Sequence, residues 1–399
     1  MRHQASTRSN QLGTLSIAAA AAFGEHASLS IYTTLEPTQT RWRALQASGC
    51  SYGFQSYDWI AAWYQHLGQA QGWQIRLVEL RDADGQTQLL LPLGIRRHHG
   101  LRVLSFLGGE VTDYHAPLLQ RDFPTATFAV LWQVILRQLR GEIDLLRVRR
   151  MPQLIEGCAN PMILLAGMHA TEQAHAASLT ASFAQFQKLR SAKMFADTRR
   201  QLRRLHELGT VQLLVDVPSA QRTEVVAAMA RQKARRWHET GSRDLFAEPG
   251  YLAFYQSLAA QGIGGGDVVV SALLVDDILV ATHWGICYGQ RYYWIMPGYE
   301  DGSWGRYSVG RILMDAVVQH CIERGLAIFD LTVGDEAYKL QWADQTLALY
   351  AGQQGYSLRG KLAVGISELW QRLRVRARNN LRLRNLVRRW RGLAPISAP

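Results

Sequence analysis

Cysteine is scarce and scattered in this chain: Cys50, Cys158, Cys287 and Cys321 lie far apart and form no C-x-x-C pair. Neither a zinc knuckle nor a disulfide framework is expected, and a reducing, cytoplasmic setting fits best. Twelve histidines are present, but no two stand four residues apart beside a carboxylate, and His98-His99 sits in a basic, turn-like stretch. No metal site is expected. Long apolar runs are missing too, and nothing approaches the roughly 18 residues a membrane span requires. Residues 1–30 carry Arg2 and Arg8 ahead of an alanine-rich run from Leu15 to Phe23, too short and too weakly apolar for a signal peptide, and read as a disordered extension. The chain does have apolar and aromatic mass: 48% hydrophobic residues and twelve tryptophans against 19% charged, which excludes a largely disordered polypeptide.

The net charge of +12 is unevenly placed. From Arg359 to Arg391 eleven basic residues face one acid, Glu368, so ten of the twelve excess charges belong to the C-terminal tail. The body is close to neutral, and nucleic acid is not expected as its partner. Ile366, Trp370, Leu373, Ala377 and Leu381, continued by Leu383, Leu386, Val387 and Trp390, recur at helical spacing. The tail therefore reads as a basic amphipathic helix, able to lie on the anionic inner face of a membrane, to grip RNA or a partner, or to pack on its own protein. A second basic cluster, Lys188, Arg190, Lys193, Arg199, Arg200, Arg203 and Arg204, is broken only by Asp197. It is either a solvated helix face or an attractor of phosphate.

A length of 399 residues exceeds one typical domain, and the expected division is 31–170, 171–358 and the tail 359–399. The class is α+β, with mixed, mostly antiparallel sheets flanked by helices. In the first unit the spacing predicts a helix over 56–67 capped by Ser56, a hairpin of 73–80 and 88–95 around Asp84-Gly85, a strand over 101–107, a helix over 123–139 and a strand over 144–148. Residues 160–185 are rich in Ala, Thr and Ser and show no clear period. The second unit reads as a strand at 211–217, helices at 219–239 and 248–261, strands at 267–275, 278–287 and 291–296, a helix at 309–324, a strand at 327–331, a short helix at 338–342 and a strand at 346–351.

Two segments of that second unit carry candidate chemistry. Arg306-Tyr307-Ser308-Val309-Gly310-Arg311 opens the long helix, with Ser308 as N-cap, Gly310 permitting close backbone approach and two arginines as counter-charges. It is either an ordinary capped helix or a cradle whose free amides and dipole hold a pyrophosphate. Asp330-Leu331-Thr332-Val333-Gly334-Asp335-Glu336-Ala337-Tyr338-Lys339 follows an apolar strand. Acyl transfer needs a base at the acceptor and an acid at the departing thiolate: Asp335 or Glu336 could serve as base, Tyr338 as acid and Lys339 as a substrate contact. The alternative is a structural turn, with Asp335 capping a helix and Lys339 paired to a carboxylate. His283, mid-strand in ATHWGI, is either a core group or a further base.

Over Leu279–Asp344 the sequence resembles the BioF2-like acetyltransferase domain of the GNAT superfamily, found in proteins similar to the cellulose-biosynthesis protein CelD. GRYSVG and FDLTVGDEAYKLQWA match that family's two conserved blocks in order and spacing, with Val309 where the family usually has proline. The order of strand, two helices, three antiparallel strands, helix, strand, helix, strand is also that of the GNAT fold. FQSYDWIAAWYQHLG, LLLPLGI and LGGEVTDYHAPLL extend the likeness upstream. The resemblance implies tandem GNAT-like units, the first without a CoA loop and helping to form the acceptor cleft, lined by Asp113 and Tyr114. It implies acetyl-CoA or another acyl-CoA as donor, and as acceptor an amine or hydroxyl on a small molecule or glycan precursor. The more distantly similar Fem-type transferases suggest an aminoacyl-tRNA-dependent alternative, and a catalytically silent accessory of polysaccharide synthesis is a third.

Overall fold

A computed structural model describes residues 23–379. The first half runs β1 (Ser28–Tyr32), α1 (Gln39–Ser48), α2 (Tyr57–Trp63), β2 (Gln74–Arg81), β3 (Thr87–His98), β4 (Leu101–Phe106), α3 (Phe128–Gln138) and β5 (Leu145–Pro152). Ser56 caps α2 by accepting from the Trp59 amide at 3.3 Å, and the helix buries Trp59, Ile60 and Trp63. Strand β6 (Met168–Ser178) and helices α4 (Phe183–Lys188) and α5 (Ala192–His206) lead into the second half. There follow β7 (Val211–Leu214), α6 (Ser219–Thr240), α7 (Tyr251–Gln261), β8 (Gly266–Val275), β9 (Ile278–Tyr288), β10 (Arg291–Tyr299), α8 (Val309–Glu323), β11 (Ile328–Val333), α9 (Lys339–Trp342), β12 (Gln345–Gly355) and α10 (Leu358–Asn379).

The same order of strand, two helices, three antiparallel strands, helix and a parallel strand occurs in each half. β4 pairs parallel with β5, and β10 pairs parallel with β11. The halves join in one thirteen-stranded mixed sheet whose main path is β1-β2-β3-β4-β5-β12-β6-β11-β10-β9-β8-β7. The last strand, β12, therefore lies between β5 of the first half and β6. Helices cover the sheet: α8 packs with Val309, Leu313 and Val317 into one apolar cluster, while Trp59, Tyr255 and Trp284 belong to the other.

Three expectations change. The folded chain begins within the presumed extension, because Phe23 packs on Phe123 at 5.6 Å and β1 pairs with β2; residues 1–22 lie outside the described part. The patternless 160–185 segment contains β6, a central strand. Its side chains at Ala174, Ala176 and Ala177 are fully buried, and a strand covered on both faces loses the alternation that marks a half-exposed one. Cys50 and Cys158, 108 residues apart in sequence, are joined as a disulfide; such distant pairing has no sequence signature.

Helix α10 is rooted in the first half by Asp144, whose carbonyl accepts from the Tyr356 and Ser357 amides. The Asp144 carboxylate is held well below its ordinary range, chiefly by hydrogen bonds from Arg102. Beyond that root Leu358, Leu362, Ile366, Leu369, Trp370 and Leu373 are each at least 44% exposed. The tail residues after 379 named above lie outside the described part. Among the described residues no helix is long and apolar enough to cross a membrane.

Candidate active site

The central feature of the second half is a split in the sheet. β10 and β11 are hydrogen-bonded only where Arg291, Tyr292 and Tyr293 face Ile328, Phe329 and Asp330. From Trp294 onward β10 has no neighbour on that side, so its polar edge stands open in the middle of the sheet. The register with β9 also jumps there, from Gly285↔Trp294 to Trp284↔Met296, leaving Ile295 unpaired in a bulge. A cavity of about 640 Å³ lies against the open part of β10. Its walls are Lys233, Arg236 and Trp237 of α6, Trp294 and Pro297–Tyr299 of β10, Ser308–Arg311 at the start of α8, and Glu336, Tyr338 and Gln341 after β11.

The start of α8 departs from the simple cap. Ser308 adopts a left-handed backbone (φ 53°), and its side chain accepts no amide. Its carbonyl instead receives the Arg311 and Ile312 amides at 2.9 and 3.2 Å, leaving Val309 and Gly310 N–H without a backbone acceptor. Two free donors at the positive end of a fifteen-residue helix suit an anion. A side chain on Gly310 would meet Tyr299 Cδ1 at 3.3 Å, so glycine keeps this wall low. Arg311 ion-pairs with Asp197, while its buried Nε has no partner. It also lines a second cavity of about 740 Å³ with Lys193 and Arg200 of α5. Tyr307 is a core residue, 4% exposed, with the Arg204 and Arg306 guanidinium groups each 5.0 Å from its ring; neither Tyr307 nor Arg306 lines the cavity.

The segment after β11 divides its residues sharply. Tyr338 stands at the cavity wall, 37% exposed, and its phenol is raised above its ordinary pKa by loss of solvent and by Glu336, so it keeps its proton. Glu336 lines the same cavity and pairs with Lys339 at 2.9 Å. Lys339 does not line it: buried, it donates to the Val333 carbonyl at 2.5 Å and fastens the loop. Asp335 turns away to His175 at 3.0 Å. Thr332, β-branched, is held at φ 60°, a conformation that persists only where surroundings enforce it.

His283 lies one layer behind the wall, stacked on Trp294 at 3.6 Å. It shares a 3.2 Å hydrogen bond with Tyr292. Burial, then Lys233, pushes its pKa well down, and it does not line the cavity. Asp113 and Tyr114 also miss this wall. Asp113 pairs with Arg150 at 3.2 Å. Tyr114, fully buried, donates to Asp330 at 2.7 Å; Asp330 accepts from Arg291 at 2.9 Å, and Arg291 donates to Glu156 at 2.7 Å. That chain ties the first half to the root of the split.

Sequence reasoning missed Lys233. It is half-buried and lines the cavity, and its pKa is lowered to about 8, first by burial. Its signal was one lysine among Arg231, Arg235 and Arg236 in a long helix, indistinguishable from a surface lysine until the fold is known.

The chain's fold occurs in solved structures. FemX matches with a TM-score of 0.58 at 9% identity over 80% of this chain and 96% of its own. The C-terminal domain of a proposed lysylphosphatidylglycerol synthetase from Agrobacterium fabrum matches at 0.51 and 12%, over 84% of this chain and 97% of its own. A conserved protein of unknown function from Bacteroides thetaiotaomicron matches at 0.51 and 12%, over 81% and 98%. At such identities the likeness is one of fold. No curated protein matches the chain. Residues 192–340, which hold the split sheet, the α8 amides and Tyr338, match the family model described as acetyltransferase (GNAT) domain.

Proposed function

We propose that the chain is an acyltransferase that moves the acyl group of acetyl-CoA or another acyl-CoA to an amine or hydroxyl. The carrying observation is the one cavity that joins the open β10 edge, the free α8 amides and Tyr338. The donor's pyrophosphate lies on the Val309 and Gly310 amides beside Arg311, its nucleotide end reaches the Lys193–Arg200 cavity, and its thioester lies along β10, whose unpaired amides near Ile295 face the carbonyl oxygen. The acceptor's nitrogen or oxygen attacks the thioester carbon, forming the new C–N or C–O bond as the C–S bond breaks. Lys233, with Glu336 beside it, receives the acceptor's proton, and Tyr338 supplies one to the departing sulfur.

Tyr338→Phe is expected to lower kcat by about 10²-fold or more with CoA affinity unchanged; full turnover in stopped-flow assays of thiol release would remove the phenol from the mechanism. Lys233 acts as base only when unprotonated, so kcat/KM should rise with pH through about 8 and then level. Lys233→Met should abolish that limb, and a profile identical to the parent's would exclude it.

The resemblance to CelD-like proteins supports a glycan-precursor acceptor in exopolysaccharide, cellulose or envelope synthesis, and a cytoplasmic site of action. The exposed apolar stripe of α10, in a segment carrying most of the net charge, supports peripheral contact with an anionic membrane. Deletion after Gly360 should abolish co-sedimentation with anionic vesicles; unchanged sedimentation would make the stripe a protein contact. The basic cavity beside α5 also favours a second reading, in which the donor is an aminoacyl-tRNA held through its phosphates.

A further inference from the structure

The first half repeats the split that forms the cavity of the second. β4 and β5 run parallel but pair only where Val103 and Leu104 face Leu145 and Leu146. Beyond that point Ser105 and Phe106 of β4 and Arg147 and Arg149 of β5 line a cavity of about 340 Å³. In place of a helix start, this cleft has four arginines, Arg96, Arg147, Arg149 and Arg243, against one lining carboxylate, Glu110. Glu110 pairs with Arg149 at 2.7 Å, and Arg243 pairs with Glu248. Arg96 and Arg147 have no carboxylate partner among the described residues. Arg96 sits over Trp73, 5.3 Å from the ring centroid, and Arg147 is an exposed side chain on the cleft wall. Two guanidinium groups without counter-charges in one cleft favour a multiply charged anion, and guanidinium matches phosphate oxygens bidentately. The cleft also adjoins the donor cavity: Ser242 lines one and Arg243 the other.

We infer that the first-half cleft binds a phosphate or pyrophosphate group of the acyl acceptor, holding its amine or hydroxyl toward Lys233 and Tyr338. This rests on the acyltransferase reading of the neighbouring cavity. The test is calorimetric titration of inorganic pyrophosphate into the full chain saturated with CoA. One additional site is expected, weakened at least about 10-fold in the Arg96→Gln/Arg147→Gln double variant, whose CoA affinity and melting temperature stay unchanged. UDP and geranyl pyrophosphate, titrated in parallel, distinguish a nucleotide-linked from a lipid-linked acceptor by which binds more tightly. Absence of the pyrophosphate site, equal affinity in the double variant, or a second equivalent of CoA that the double variant loses would each overturn the assignment. If CoA itself does not bind, the donor reading fails separately, and pyrophosphate titration of the unsaturated chain and the double variant still decides the fate of the arginine cleft.

Discussion

Gly310→Asp is expected to weaken acetyl-CoA binding about 100-fold while leaving the melting temperature unchanged or slightly raised. The two effects separate because a carboxylate in the first turn of α8 stabilises the helix through its dipole while repelling a pyrophosphate placed on the same amides. The new side chain also approaches Tyr299 at 3.3 Å, a contact that a small shift relieves, so the loss is electrostatic rather than a collapse of the wall. Gly310→Ala supplies the steric control: it should lose only a small part of the affinity. Calorimetry on both variants checks this, and equal affinities for Gly310→Asp and the parent would remove the pyrophosphate from α8.

Arg291→Met is expected to destabilise the protein by about 3–5 kcal/mol, because it leaves the fully buried Asp330 without its counter-charge. Asp330 would keep only the Tyr114 hydroxyl at 2.7 Å and the Thr332 amide at 2.8 Å. Tyr114→Phe removes a single hydrogen bond to the same carboxylate and should cost about 1–3 kcal/mol. Urea unfolding followed by tryptophan fluorescence measures both. Losses below about 1 kcal/mol for Arg291→Met would mean that water, rather than this network, satisfies Asp330.

The fold was largely legible where one face of an element is apolar. The hairpin around Asp84-Gly85, the helix beginning at Val309 and the three antiparallel strands from residue 266 to 299 follow from period and turn residues. Legibility failed at β6, whose Ala174, Ala176 and Ala177 are buried without alternation, and at Cys50–Cys158, which pair across 108 residues. Of the candidate site residues, Gly310, Tyr338 and Glu336 stand in short, unusual segments of the sequence and meet at one cavity. Asp335 and Lys339 share the segment of Glu336 and Tyr338 but are turned to His175 and Val333, and Asp113 and Tyr114, from the first half, are turned to Arg150 and Asp330, a difference of side-chain direction that residue type does not encode. Lys233 and the Arg96–Arg147 cleft become visible only when distant segments are brought together.

The most direct measurement is calorimetric titration of the full chain with acetyl-CoA at low and high salt, with aminoacyl-tRNA in parallel. The account predicts one-to-one acetyl-CoA binding that largely survives the salt, since a partly buried pyrophosphate is screened less than an exposed backbone. Absence of acetyl-CoA binding, with aminoacyl-tRNA bound in a steeply salt-dependent way, would contradict it.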